Sequence, residues 1–281
     1  MNRLAADTAM GGVELLVRDL DAMVAFYTEG VGLNVRTTGT RISLGRERDM
    51  IHLVQRSDLP EFSRAAAGLF HTAIVFETAA DLAAAVADVA RRYPRSFTGS
   101  ADHLVSQAFY FDDPEGNGVE LYLDRPRSQW HRTATGEIAM ATQYLDPQAF
   151  LKAHLDELAS AGECTVGHIH LQVGDIPRAE AFYADLLGFD ITARYGRQAL
   201  FVAAGGYHHH IGLNTWNSAG AGPRAASLGL GRVAIEVPNT DDLHRIQHRL
   251  HQAGLSHQRA DQVLTFADPW QTQIAVHALE S

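Results

Sequence analysis

The chain repeats itself, and no other feature constrains its fold so strongly. Val13-Glu-Leu-Leu-Val-Arg-Asp-Leu20 returns as Ile169-His-Leu-Gln-Val-Gly-Asp-Ile176. At the same offset, Ala25-Phe-Tyr27 returns as Ala181-Phe-Tyr183 and Gly32-Leu33 as Gly188-Phe189, without a gap. A weaker pairing sets Thr72-Ala-Ile-Val-Phe-Glu77 and Asp81-Leu82 against Val233-Ala-Ile-Glu-Val-Pro238 and Asp242-Leu243. It closes with Phe111-Asp-Asp-Pro114 against Phe266-Ala-Asp-Pro269. The chain is therefore a duplicated domain, each domain holding two related modules, numbered 1 to 4 along the sequence.

The local pattern of a module is β-α-β-β-β. Residues 169–173 alternate as a half-buried strand does, and Asp175 is placed to cap a helix. Ala179, Phe182, Leu186 and Leu187 recur at helical spacing before Gly188 stops the run. Strands follow at 197–203 and 210–214. Module 2 gives a strand at 72–77, a helix over about 79–92 stopped by Pro94, and strands at 107–111 and 119–123. Its last two strands join through the turn Asp113-Pro-Glu-Gly-Asn-Gly118. The expected domains are residues 1–128 and 166–281, with a connector over 129–165. Asp146 before Pro147 starts a helix of about 15 residues there, its stripe Leu151, Leu155 and Leu158, ending before Gly162.

Composition excludes several classes of function. The net charge of −10 argues against a nucleic-acid partner. No apolar run is long enough to span a bilayer, and the opening MNRLAADTAM lacks the pattern of a secretory signal. One cysteine, Cys164, cannot build a disulfide framework, so a cytoplasmic location is expected. No strand–GxGxxG–helix unit for a dinucleotide is present. The 15 histidines are the unusual count, because histidine is the commonest metal ligand.

Four βαβββ modules, the strand starts Phe70-His-Thr-Ala-Ile-Val75 and Val166-Gly-His-Ile-His-Leu171, and the turn Asp113-Pro-Glu-Gly-Asn-Gly-Val-Glu-Leu-Tyr122 resemble the vicinal-oxygen-chelate superfamily. Within it the chain is most similar to type I extradiol dioxygenases of the catechol 2,3-dioxygenase kind. The resemblance implies an α+β chain of the glyoxalase/bleomycin-resistance/extradiol dioxygenase fold, its four modules pairing into two open β-barrels. It also implies a non-haem divalent metal, iron(II) or else manganese(II), held by two histidines and a carboxylate with the other positions open to substrate and O2.

In the family's register the ligands are His71 in module 2, His168 in module 3 and Glu120 on the last strand of module 2. His170 shares a strand face with His168, and periodicity alone lets either be the ligand; the family register favours His168. The resemblance makes His209, in His208-His-His210, the acid–base group, Tyr110 the substrate-bonding phenol, and His103 a second pocket histidine. His208 and His210 are supports. His244, His248 and His251 fall on one helix face with Arg245 and Arg249, a solvated pattern. His52, His131, His154, His257 and His277 form no constellation.

The repeat supplies an internal control. Module 4 has Arg232, Thr265 and Ala275 where module 2 has His71, Tyr110 and Glu120, and module 1 has Gly12 where module 3 has His168. All three ligands lie in modules 2 and 3, so the productive pairing is 2 with 3, within one chain or across a homo-oligomer. The implied reaction is extradiol cleavage of catechol or a substituted catechol by O2. The alternatives are a glyoxalase-like lyase or isomerase, which would need a fourth ligand near Gly212, and a non-catalytic small-molecule-binding protein of the same fold.

Overall fold

The computed structural model describes residues 3–156 and 162–280. Module 1 runs β1 (Ala9–Val17), α1 (Leu20–Ala25), β2 (Asn34–Thr37), β3 (Arg41–Gly45) and β4 (Asp49–Gln55). Module 2 runs β5 (Gly68–Phe76), α2 (Ala79–Arg92), β6 (Phe97–Asp102), β7 (Ser106–Asp112) and β8 (Gly118–Asp124). After α3 (Pro147–His154), module 3 runs β9 (Cys164–Gln172), α4 (Ile176–Glu180), β10 (Asp190–Tyr195), β11 (Ala199–Ala203) and β12 (Ile211–Asn214). Module 4 runs β13 (Gly229–Asn239), α5 (Thr240–Gln252), β14 (His257–Ala260), β15 (Val263–Ala267) and β16 (Gln273–Glu280).

The strands form two curled eight-stranded sheets. One has the order β14-β15-β16-β13-β1-β4-β3-β2 and is built from modules 4 and 1. The other, β10-β11-β12-β9-β5-β8-β7-β6, is built from modules 3 and 2. Each closes as a half-barrel, the α+β architecture that the family resemblance implied. Among the described residues no helix is long and apolar enough to cross a membrane.

The chain divides into two compact units. One comprises Leu16–Asp58 and His71–Gly167. Here Thr78 caps α2 by accepting the Asp81 amide at 3.1 Å, and Leu82, Val86 and Val89 bury one face. The other comprises Met1–Leu15, Leu59–Phe70 and His168–Ser281. There Asn239 caps α5 through the Asp242 amide at 3.0 Å, and Leu243, Ile246 and Leu250 face inward.

The Ala-Phe-Tyr and Asp-Pro motifs that revealed the repeat prove to be one device. In both units the first helix widens to a π turn at these residues, over Phe26–Gly30 and Ala181–Leu186. A regular helix sets adjacent side chains about 100° apart, and a π turn, with more residues per turn, brings them closer in direction. The widened turn buries Phe26 with Tyr27 and Phe182 with Tyr183. Tyr27 then donates to Asp113 at 3.1 Å, and Tyr183 to Asp268 at 2.9 Å. Each aspartate also accepts its own turn's amides: Glu115 and Asn117 for Asp113, Trp270 and Thr272 for Asp268.

The connector helix differs from its expectation. α3 spans eight residues, and Leu155 is already extended (φ −71°, ψ 118°) and exposed. Leu158 lies outside the described residues. The anchor is Phe150, packed on Phe109 with ring centroids 4.9 Å apart, so one aromatic contact does what a leucine stripe was expected to do.

Burial pushes the Asp113 carboxyl up to about 6, against the donors that favour its charged form. A raised value in the folded state makes the contribution largest below about pH 4 and lost as pH rises to about 6. Urea denaturation should show wild type losing roughly 2–3 kcal/mol relative to Asp113→Asn between pH 4 and 7. A pH-independent difference would contradict this.

Candidate functional site

In the first unit, three strands aim side chains at one face. Glu120 on β8 stands opposite Tyr110 on β7 and Ala73 on β5. His71 lies two residues before Ala73, so the period of two puts it on the same face. Ala73, Ala108 and Tyr122 form the buried apolar floor of that face. His71 is 6% exposed and Glu120 2%. The His71 Nε2 atom lies 2.9 Å from Glu120 Oε2.

Tyr110 adjoins the pair, its ring centroid 5.6 Å from that of His71. Burial first, and then the neighbouring Glu120 carboxylate, hold the phenol well above its ordinary range, so it keeps its proton at neutral pH. Its hydroxyl lies 2.6 Å from His103 Nε2. His103, beyond the end of β6, places its Nδ1 2.8 Å from the Ala141 carbonyl. The structure thus gathers His71, Glu120, Tyr110 and His103 into one chain of contacts.

In the second unit, His168 and His170 lie on β9 two residues apart. The His168 ring sits 4.1 Å from that of His209 and 5.8 Å from that of His208. His208 and His209 meet through their Nδ1 atoms at 2.7 Å, and Thr192 donates to the His208 carbonyl at 2.5 Å. His210 Nδ1 accepts the Ala204 amide at 3.2 Å. All three of the triplet are buried, so the run is no exposed metal-chelating patch.

His170 has different neighbours: Phe70 at 5.2 Å, Trp216 at 5.3 Å and Phe201 at 5.7 Å between ring centroids. Its cross-strand partner on β12 is Gly212. A Cβ at Gly212 would stand 2.9 Å from His170 Cγ, so the ring occupies the space a side chain would need. Asn214, two residues on, is fully buried, and its Oδ1 accepts the Trp216 amide at 3.2 Å.

The control modules keep the scaffold and lose the donors. Thr265 pairs with Ala275, and Ala275 with Ala234, the same register as Tyr110 with Glu120 and Glu120 with Ala73. Arg232, at the place of His71, forms an ion pair with Glu14 at 3.0 Å. His244, His248 and His251 lie on the exposed side of α5.

Sequence reasoning missed four contributors. Ala141 acts through its backbone carbonyl, which no side-chain pattern reveals. Phe70, Phe201 and Trp216 carry no signal of a role in the sequence, and the fold gathers them round His170.

Residues 9–121 and 165–276 match the family model described as Glyoxalase/Bleomycin resistance protein/Dioxygenase superfamily. Over 279 residues, 96% of each chain, the sequence is 36% identical to a catechol-2,3-dioxygenase of Bacillus subtilis (strain 168). Among solved structures, a proposed dioxygenase from Bacillus subtilis superposes with a TM-score of 0.68 at 12% identity, covering 99% of this chain and 86% of that one. Glyoxalase I from Zea mays gives 0.60 at 15% identity, covering 97% and 92%. At such identities the two structures speak for the fold alone.

Gly212→Ala should displace the His170 ring. Overpacking of this kind costs about 1–3 kcal/mol, and Trp216, in contact with His170, should report it as altered fluorescence. Unchanged stability and emission would show that the ring is free to move.

Proposed function

The chain belongs to the Glyoxalase/Bleomycin resistance protein/Dioxygenase superfamily, and within it we propose that it is an extradiol dioxygenase, opening the ring of catechol or a substituted catechol with O2 at a non-haem divalent metal, iron(II) or manganese(II). The observation that carries this reading is the donor set. His71 and Glu120 are buried side by side, His71 Nε2 2.9 Å from Glu120 Oε2, and His168 is buried on β9 at the register where the family places its other histidine. Two imidazoles and one carboxylate fit a divalent cation and leave positions open for small ligands. A buried carboxylate is also costly without a cation close by. The 36% identity to a catechol-2,3-dioxygenase over nearly the whole chain points the same way.

In this reading His168, not His170, is the third ligand, since the His170 ring is engaged by Phe70, Trp216 and the backbone at Gly212. The bound metal supplies Lewis acidity toward the two catechol oxygens and a common centre for substrate and O2. The protein's own groups move protons and exclude water. Tyr110 keeps a phenol proton beside Glu120 and holds a substrate oxygen by hydrogen bond, with His103 behind it. His209, against His168 and hydrogen-bonded to His208, is the acid–base group. Positioning of this kind, with general acid–base catalysis, is what the chain adds to the metal's chemistry.

A glyoxalase-like activity is the second reading, because glyoxalase I shares the fold. A fourth protein ligand would come from near Gly212. Glycine offers none, and the space above it holds His170. Three ligands favour oxygen chemistry. A metal-free binding protein is disfavoured by the retention of all three donors beside modules that lack them.

Protein purified anaerobically with iron(II) should retain metal, and Glu120→Ala should lower its iron content at least roughly tenfold. Arg232→Ala should leave iron content unchanged. Iron retained undiminished in Glu120→Ala refutes the ligand assignment. Tyr110→Phe should keep the metal and lower kcat on catechol roughly hundredfold; an undiminished kcat would remove Tyr110 from the chemistry.

A further inference from the structure

β6 is the edge strand of its sheet, and a stretch of the connector runs along it. Asp102 and Gln143 exchange both backbone hydrogen bonds, at 3.0 and 2.9 Å. Ser100 Oγ donates to the Leu145 carbonyl at 2.8 Å, and the Ala141 amide reaches the His103 carbonyl at 3.4 Å. The turn beneath is equally constrained. The Asp102 carboxylate accepts the Leu104 amide at 2.9 Å and pairs with Arg125. Leu104 is held at φ +69°, a left-handed conformation that a leucine adopts only when its surroundings impose it.

These contacts converge on one imidazole. A carbonyl oxygen only accepts, so the 2.8 Å contact of His103 Nδ1 with Ala141 requires the proton on Nδ1. In the neutral ring Nε2 is then bare. At 2.6 Å from it, the Tyr110 hydroxyl must be the donor. Tyr110 has one proton and two acceptors in reach, His103 on one side and its cross-strand neighbour Glu120 on the other.

We infer that the connector segment Ala141–Leu145 is a positioning element that decides where the Tyr110 proton points. By fixing the His103 tautomer through the Ala141 carbonyl, it turns the phenol proton toward His103 and away from the Glu120 carboxylate. The phenol proton then does not compete with a cation for the Glu120 carboxylate. Without the segment, an Nε2–H tautomer would donate to the phenol oxygen and send the phenol proton to Glu120. This last consequence rests on the metal assignment above; the proton arrangement itself does not.

The test is 15N NMR of the full-length, metal-free protein labelled at histidine, at about pH 8, where an ordinary imidazole is neutral. His103 should show a protonated Nδ1 and a bare Nε2, in roughly fivefold or greater excess over the other tautomer, the ratio an ordinary hydrogen bond supports. Gln143→Pro, which removes the amide that Asp102 accepts, should reduce or invert that excess. Gln143→Ala, which keeps the backbone bridge, should preserve it. An Nε2-protonated His103 in wild type overturns the inference whether or not the proline variant folds, and so does a wild-type pattern in Gln143→Pro. Oxygen uptake plays no part in this readout, so failure of the dioxygenase reading and failure of this one are told apart.

Discussion

A carboxylate at 2% exposure is the constraint around which the site is arranged. Taking Glu120 out of water costs several kcal/mol unless hydrogen bonds and a nearby positive charge offset it. The strand pattern brings His71 to 2.9 Å and Tyr110 alongside, and the small side chains of Ala73 and Ala108 beneath leave them room. Such an arrangement is expensive as a fold-stabilising device. It becomes reasonable when the carboxylate's charge is reserved for a cation.

The rest of the chain shows what the same scaffold does without that demand. Module 4 keeps the strand register and module 1 the π turn, and each supplies one partner of a Tyr–Asp bond, Tyr27 to Asp113 and Asp268 to Tyr183. Where modules 2 and 3 hold donors, modules 1 and 4 hold Ala275, Thr265 and the Arg232–Glu14 ion pair. A guanidinium beside a carboxylate satisfies both charges internally. The duplication thus separates architecture from chemistry: the Tyr–Asp devices belong to both halves, the donors to one pairing.

Much of this was legible in the sequence because the repeat aligned it. Asp175 as an N-cap, the bounds of α2, and the strands β7, β8 and β12 follow from periodicity and turn chemistry, which are local. The candidate ligands His71, Glu120 and His168 came from register with a family, and no spacing rule could have joined positions so far apart. What escaped were non-local and backbone effects. The π turn adds one residue to a helical turn, and no pattern of apolar spacing announces it. Phe150, not the leucines, anchors α3 because Phe109 lies opposite. The role of Ala141 belongs to a carbonyl that any residue carries, and that of Gly212 to the absence of a side chain that His170 fills.

The central claim, that this chain turns its donors to ring cleavage with molecular oxygen, is tested most directly by stoichiometry. Protein loaded anaerobically with iron(II) is mixed with catechol or a substituted catechol, while oxygen consumption and the visible absorbance of a ring-opened semialdehyde are followed together. One O2 consumed per catechol, with the yellow product formed in step, is the predicted result. No oxygen uptake with any catechol, from protein shown to carry iron, would contradict it.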